Sequence, residues 1–314
     1  MGVTREDLIR SGRYLDMPDA EWEEELAHRK YLIDRLMSND AWAPKIRGKV
    51  GIILTAHPGG LPFLRGCIES WSKLGLWLTL AYDNFIDPAA ETIDYNTHMP
   101  AKDIMHKVDS FVLPHHQVWG GPSYPYCWLV RLAGGLMSHF EYVIVANGDT
   151  ILEKPEGLPA LLEMMGDADF MSAGPVLERE IGTLAFIIKG KHLPALGAHL
   201  VDHMVPFEEY EKSTQEFGNT EGRMAVAVRE LGLKQFIVPG MPMSDQFHIP
   251  QGTWHETIGI RHIHGEFNHA YKRHAIPPPL KYFDERYLGS HDLNHLKQYE
   301  ETGDIKVLEE WWQK

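Results

Sequence analysis

The sequence predicts an α/β fold in which a mostly parallel central sheet is flanked by helices. Two observations predict it. Short runs that are apolar throughout, as in strands covered on both faces, alternate with amphipathic helical segments. This alternation is the pattern of stacked right-handed βαβ units. The 314 residues, of which 44% are hydrophobic, suffice to build the buried core of such a fold.

The predicted elements begin with an amphipathic helix over 19–37, which lies outside the core. The core then starts with strands at 50–55, 76–82, 110–113 and 142–146, and with helices at 64–71 and 126–139. After a turn at 147–150, the pattern predicts a helix at 155–165, strands at 170–173 and 183–188, a helix at 219–231 and a short strand at 236–238.

Regular periodicity weakens after Pro239, where the sequence becomes rich in Met, His, Pro and Tyr. Such sequence predicts irregular substrate loops over a rigid scaffold. The chain is therefore divided into an N-terminal helical extension at 1–48, a catalytic domain at 49–275 and an irregular C-terminal extension at 276–314 that packs on the core.

Composition limits the environment and the partners. No run approaches the roughly 18 consecutive apolar residues of a membrane helix, and the charged N-terminus lacks the apolar core of a signal peptide. The two cysteines lie among apolar residues and predict reduced thiols, so a cytoplasmic location is expected. A formal charge of −14 disfavours a nucleic-acid partner without excluding one.

The strongest functional signal is the segment 141–150, in which a buried strand ends in the turn Asn147-Gly148-Asp149-Thr150. The carboxyl ends of strands are where open α/β sheets bind ligands, and hard divalent cations on phosphates prefer carboxylate oxygens. All four residues also favour turns for backbone reasons alone, which is the structural alternative for Asp149.

The order of elements over residues 50–240 resembles that of GT-A glycosyltransferases, which carry an Asp-x-Asp turn at this place. The segment 131–135, Arg-Leu-Ala-Gly-Gly, resembles the helix that precedes this turn. The resemblance implies a GT-A-like, Rossmann-like fold and assigns nucleotide-sugar contacts to a group of residues. These are Thr55, His57, Asp83, Arg131, Asn147, Gly148 and Asp149. For Arg131 a structural salt bridge is the alternative.

One position departs from the family pattern. Asn147 stands where the first Asp is usual, and its amide can coordinate a metal but supplies no negative charge. The resemblance implies a divalent cation, Mn²⁺ or Mg²⁺, on Asp149, with a histidine ligand from later in the chain. His264 is chosen over His262, and the two histidines are expected on opposite faces if the segment is extended.

Sugar transfer with inversion needs a base to deprotonate the acceptor hydroxyl. Glu221, at the start of the helix at 219–231, resembles the family's base, although a first-turn glutamate also complements a helix dipole. Asp245 and Glu266 are the rival bases, and a retaining transfer would require none.

The sequence thus predicts a metal-dependent glycosyltransferase that moves a sugar from a nucleotide-sugar donor to an acceptor hydroxyl. The acceptor is left open between a glycan, a small molecule, a protein and a modified nucleic-acid base. The alternatives are a nucleotidyltransferase and a binding protein of the same fold that has lost catalysis. A zinc hydrolase is disfavoured because no His-Glu-x-x-His pattern occurs.

Overall fold

A computed structural model describes residues 48–57, 60–82, 102–112, 123–173, 183–202, 220–238 and 252–313. The predicted helix at 19–37 and the predicted site residues Asp83 and Asp245 lie outside this part of the chain. None of the helices described combines the length and apolar character needed to cross a membrane.

The strands are β1 (Val50–Ala56), β2 (Trp77–Tyr82), β3 (Ser110–Val112), β4 (Tyr142–Asn147), β5 (Thr150–Leu152), β6 (Phe170–Ala173), β7 (Ala185–Lys189), β8 (Gln235–Val238) and β9 (Ile260–His262). The helices are α1 (Leu61–Ser72), α2 (Ser123–Met137), α3 (Leu158–Met165), α4 (Leu193–Asp202), α5 (Thr220–Glu230), α6 (Gly252–Ile258), α7 (Ile263–Arg273), α8 (Ser290–Thr302) and α9 (Ile305–Trp311).

Seven strands form the central sheet in the order β3-β2-β1-β4-β7-β6-β8. Every pairing in it is parallel except those of β7, which runs antiparallel to both β4 and β6. Strands β5 and β9 form a separate antiparallel ribbon, in which Thr150 pairs with His262. The predicted fold class, a mostly parallel sheet flanked by helices, is confirmed.

Apolar layers cover both faces of the sheet, as the uniformly apolar strand sequences predict. On one face, Ile52 and Leu54 of β1 pack in a cluster with Trp71 and its neighbours on α1. On the other face, Ile53 of β1 packs with Cys127 and other residues from α2, α4 and α5. Both cysteines are buried free thiols, one in each of these two layers.

The chain after residue 250 is more regular than the sequence indicates, because it contains α6, β9, α7, α8 and α9. These helices are polar, and α8 buries a single residue, Leu296. In α8 the few apolar residues give a weak periodicity, and its stability comes from tertiary packing. Leu280, Phe283 and Leu296 pack against Phe63 of α1 and Ile263 of α7, so the C-terminal segment contacts the core.

Candidate functional site

Strand order places a topological switch point beside the end of β1. The chain adds β2 and β3 on one side of β1 and then returns to place β4 on its other side. In open α/β sheets, ligands bind outside the carboxyl ends of the strands at such a switch point. Asp149 follows β4 directly at this edge, so the strand order alone puts its carboxylate at the expected site.

The turn that carries Asp149 is pressed against the end of β1. The amide of Gly148 donates a hydrogen bond to the carbonyl of Thr55 at 2.6 Å. A Cβ at Gly148 would meet the Cβ of Ala56 at 2.6 Å and the Thr55 oxygen at 3.0 Å, so only glycine allows this approach. The hydroxyl of Thr55 also donates to Oδ1 of Asn147 at 3.3 Å, which directs the Asn147 amide oxygen towards β1.

Thr150 closes the turn from its other end. Its hydroxyl donates to the carbonyl of Asn147 at 2.6 Å and accepts a hydrogen bond from the indole Nε1 of Trp71 at 3.1 Å. Thr150 and Trp71 are buried. Burial also raises the pKa of the neighbouring Cys67 thiol, and the charge of Asp149 raises it further. Cys67 is thus a neutral packing residue.

Two imidazoles converge on Asp149. Nε2 of His262 lies 3.0 Å from Oδ2 of Asp149, and Nδ1 of His264 lies 3.6 Å from the same oxygen. The expectation that the two histidines face opposite ways is wrong. Residues two apart in an extended segment share a face, and although the backbone changes from β9 to α7 between His262 and Ile263, both imidazoles reach the same carboxylate oxygen.

Burial and charge act in opposite directions on this cluster. Burial opposes ionisation of Asp149, but the charge of His262 and hydrogen bonds from both histidines outweigh it and hold the pKa of Asp149 well below its usual range. Burial likewise opposes protonation of His262, yet the Asp149 carboxylate raises its pKa. Both shifts favour the charged forms of the pair, a carboxylate and an imidazolium.

His57 belongs to the same electrostatic group. Its side chain keeps contact with solvent, but the protein packed around it lowers its pKa, while the charge of Asp149 raises it and that of His264 lowers it. His264 is stacked on Phe63 of α1, with ring centroids 4.9 Å apart. Nothing in the sequence singles out Phe63, since an aromatic residue on an amphipathic helix usually packs in the core.

The predicted base Glu221 lies at the same edge of the sheet. The amide of Asn147 donates to the carbonyl of Leu184 at 3.0 Å, which puts Thr183 beside the end of β4. The hydroxyl of Thr183 donates to Oε1 of Glu221 at 2.7 Å. Glu221 is therefore held in the first turn of α5 close to where β4 delivers the Asp149 turn.

Two other candidates are engaged in ion pairs. Arg131 lies on α2 with Nη1 3.6 Å from Oδ1 of Asp202 on α4, which is the structural salt bridge that the sequence left as an alternative. Glu266 accepts two hydrogen bonds from the guanidinium of Arg261. A carboxylate bound in this way is poorly suited to act as a base.

The residues around Asp149 suit a divalent cation that also binds a diphosphate. Oδ1 of Asp149 is buried and has no hydrogen-bond partner among the described residues, which is costly unless a ligand completes its coordination. Within that part of the chain no three His, Cys, Asp or Glu side chains converge as a closed metal site. A cation held by Asp149 and one imidazole would take its other ligands from phosphate and water, as Mg²⁺-type sites often do.

No family model matches the chain, and no curated protein matches its sequence. Among solved structures, bifunctional IspDF from Campylobacter jejuni aligns with a TM-score of 0.37 and 13% identity, over 62% of this chain and 51% of that one. HddC from Yersinia pseudotuberculosis, complexed with GMP-PN, aligns with a TM-score of 0.30 and 14% identity, over 46% and 79%. The chain thus spans about half of the length of IspDF. Likeness this remote carries no activity across, so function has to be inferred from the site.

Proposed function

We propose that the protein is a glycosyltransferase that moves a sugar from a nucleotide-sugar donor to an acceptor hydroxyl, with a divalent cation, Mn²⁺ or Mg²⁺, at Asp149 and His264. The observation that carries the proposal is the buried carboxylate of Asp149. It stands at the switch point of the sheet, with one oxygen between two imidazoles and the other without a partner among the described residues.

The arrangement suits a substrate that carries several negative charges. Asp149 remains ionised because its pKa is lowered, and it can hold a cation that neutralises the leaving diphosphate. His57 and His262 bring further imidazoles to the same place and can donate hydrogen bonds to phosphate oxygens. The amide of Gly148 is already bound to Thr55, so these two residues shape the crevice through backbone contacts.

For an inverting transfer, Glu221 is the acceptor base that we favour. The Thr183 hydroxyl fixes one of its carboxylate oxygens, and the position of Thr183 next to β4 puts Glu221 at the edge where the sugar would lie. A carboxylate so placed accepts the proton from the attacking hydroxyl as the new glycosidic bond forms. Asp245 is retained as its rival, and Asp83 and Arg131 remain predicted donor contacts.

The second candidate is a nucleotidyltransferase, which would act on a nucleoside triphosphate and a sugar phosphate at the same metal aspartate. The connection after β1 argues against it, since from His57 to α1 the sequence offers no Lys or Arg to bind a triphosphate before Arg65. The third reading, a binding protein without catalysis, is favoured by Asn147, whose amide oxygen accepts a hydrogen bond from Thr55.

The test combines binding with product analysis. Thermal shifts are measured with a panel of nucleotide sugars, with and without Mn²⁺, on the wild type and on Asp149→Asn. We expect one donor to raise the Tm of the wild type by a metal-dependent amount that the variant loses, because a ligand that binds only the folded state stabilises it. Asp169→Asn is the control, since Asp169 is ion-paired with Lys189 at the start of β6, at the other edge of the sheet.

Products separate the three candidates. Transfer or slow hydrolysis of a donor sugar releases a nucleoside diphosphate, whereas nucleotidyl transfer releases inorganic pyrophosphate from a nucleoside triphosphate. A donor-specific shift without either product would establish the binding protein. No shift with any donor or triphosphate would overturn the proposal.

A further inference from the structure

Arg261 sits at the centre of the ribbon that carries the candidate site. In β9 it pairs with Ile151 of β5, while the next residue, His262, pairs with Thr150. Successive side chains of a strand point to opposite faces, so the guanidinium of Arg261 lies on the face of the ribbon away from the His262 imidazole. There it forms a network of three hydrogen bonds.

The network joins three separate pieces of chain. Nε and Nη2 of Arg261 donate to the two oxygens of Glu266, with Nε 3.0 Å from Oε1, and Nη1 donates to Oε1 of Glu153 at 2.9 Å. Glu153 directly follows β5 and is three residues beyond the Asp149-Thr150 step of the chain, whereas Glu266 is in the first turn of α7, two residues after His264. One guanidinium thus links three elements: β5, which follows Asp149, β9, which contains His262, and α7, which contains His264.

The hydrogen bonds of Arg261 lie in a largely buried environment. The side chains of Arg261 and Glu266 are 19% and 10% exposed, so the pair is shielded from bulk water. Tyr282 covers the guanidinium with its ring centroid 5.4 Å from Cζ, and its hydroxyl donates to Oε1 of Glu153 at 2.7 Å. A lysine lacks the planar fork needed to reach both carboxylates at once.

We propose that Arg261 is a positioning residue for the metal-diphosphate site, setting the distances from His262 and His264 to Asp149 by fixing β5, β9 and α7 to one another. The inference rests on the proposed function. Residues behind metal ligands that orient them commonly change metal affinity or activity by roughly 10–100-fold when they are replaced.

The first measurement is the Mn²⁺ concentration that gives half of the donor-dependent thermal shift. We expect Arg261→Lys and Glu266→Gln each to raise this concentration about tenfold. Arg286→Lys is the matched control, because Arg286 makes the same two-pronged contact with Asp284 but lies outside the ribbon. A midpoint within about twofold of the wild type for Arg261→Lys, or an equal loss in Arg286→Lys, overturns the inference, since about tenfold is the smallest effect expected of a positioning residue.

The second measurement needs neither donor nor turnover and separates this inference from the proposed function. Imidazole nitrogen chemical shifts of His262 and His264 are recorded by NMR on ¹⁵N-histidine-labelled full-length protein, with assignments from single His→Gln variants. We expect Arg261→Lys to move both sets and Arg286→Lys to move neither. If the wild type binds no donor but the imidazole shifts of both histidines change in Arg261→Lys, the proposed function fails and the positioning role stands. Unmoved shifts in Arg261→Lys refute the positioning role.

Discussion

Gly148 is the residue whose replacement tests the turn most directly. A methyl group there meets Ala56 and the Thr55 carbonyl at distances that Cβ atoms do not tolerate. We expect Gly148→Ala to lower the free energy of unfolding by about 1–3 kcal/mol, measured by urea denaturation, and to weaken donor binding. Gly135→Ala is the control, because nothing lies within 4 Å of a Cβ at that exposed helical position. Equal stability of Gly148→Ala and the wild type would show that the turn does not need this close approach.

The Asp149–His262 pair makes a second prediction at the scale of single residues. The raised pKa of His262 gives stability that is complete below 6.5 and is lost as the pH rises through its folded-state pKa. The lowered pKa of Asp149 gives stability that is complete above 3.8 and is lost as the pH falls through its folded-state pKa. The pair therefore contributes most between these two values.

We expect His262→Gln to cost about 2 kcal/mol at pH 5, as removal of a charge-assisted hydrogen bond does, and less at pH 9. Urea denaturation in the presence of a chelator measures the difference at each pH. His199→Gln is the comparison, because His199 is 2.8 Å from Glu230, a carboxylate whose side chain is 50% exposed, and its loss should cost less. A cost of His262→Gln that does not vary with pH would contradict the assignment of charges.

At the scale of elements, one buried hydroxyl links α1 to the Asp149 turn. Thr150 joins the indole of Trp71 to the carbonyl of Asn147. Thr150→Val keeps the shape but leaves the buried indole N–H without its acceptor, so we expect a loss of about 1–3 kcal/mol. Thr150→Ser should recover most of it. If both variants unfold at the same urea concentration, the hydroxyl is not what holds the turn.

The strands and helices of the first part of the chain were predictable because each hydrophobic pattern in the sequence matches the way in which the element is buried in the fold. β1 is apolar except at Thr55 and is buried at every position, and α1 has its apolar residues on one side with Gly75 at a positive φ of 63° after its end. In contrast, α3 was predicted to begin at Pro155, but a 3₁₀ turn occupies 155–157. A 3₁₀ turn is common at the N-terminus of an α-helix, and the sequence pattern does not distinguish it from a first α-helical turn.

Of the candidate site, only part follows from the sequence. Asp149 stands out because a turn after a buried strand has a fixed place in an α/β sheet. The approach of His262 and His264 to one oxygen depends on where β9 stops and α7 starts, and the role of Arg261 depends on Glu153, more than 100 positions away in the chain. Sequence periodicity carries no information about such distant pairs.

At the scale of the whole molecule, the C-terminal helices are connected to the site by aromatic packing. Trp311 of α9 lies against Phe267 of α7, with centroids 5.5 Å apart, and Phe267 in turn lies 6.3 Å from Phe63. Phe63 is the ring on which His264 stacks. The indole of Trp311 also donates to Asp292 of α8 at 2.9 Å. A chain of contacts therefore runs from α9 to the histidine that we propose as a metal ligand.

This continuity predicts that the described part of the chain unfolds as one unit. Leu308 of α9 is completely buried, and Leu308→Ala should cost about 2–5 kcal/mol, whereas Ile305→Ala, at a position 47% exposed, should change stability by less than about 0.5 kcal/mol. If α7 transmits the packing, far-ultraviolet circular dichroism and tryptophan fluorescence will report a single, coincident transition that shifts as a whole in Leu308→Ala. Two separate transitions, with only the first displaced, would instead mean that α8 and α9 form an appendage whose loss leaves the sheet and the candidate site intact.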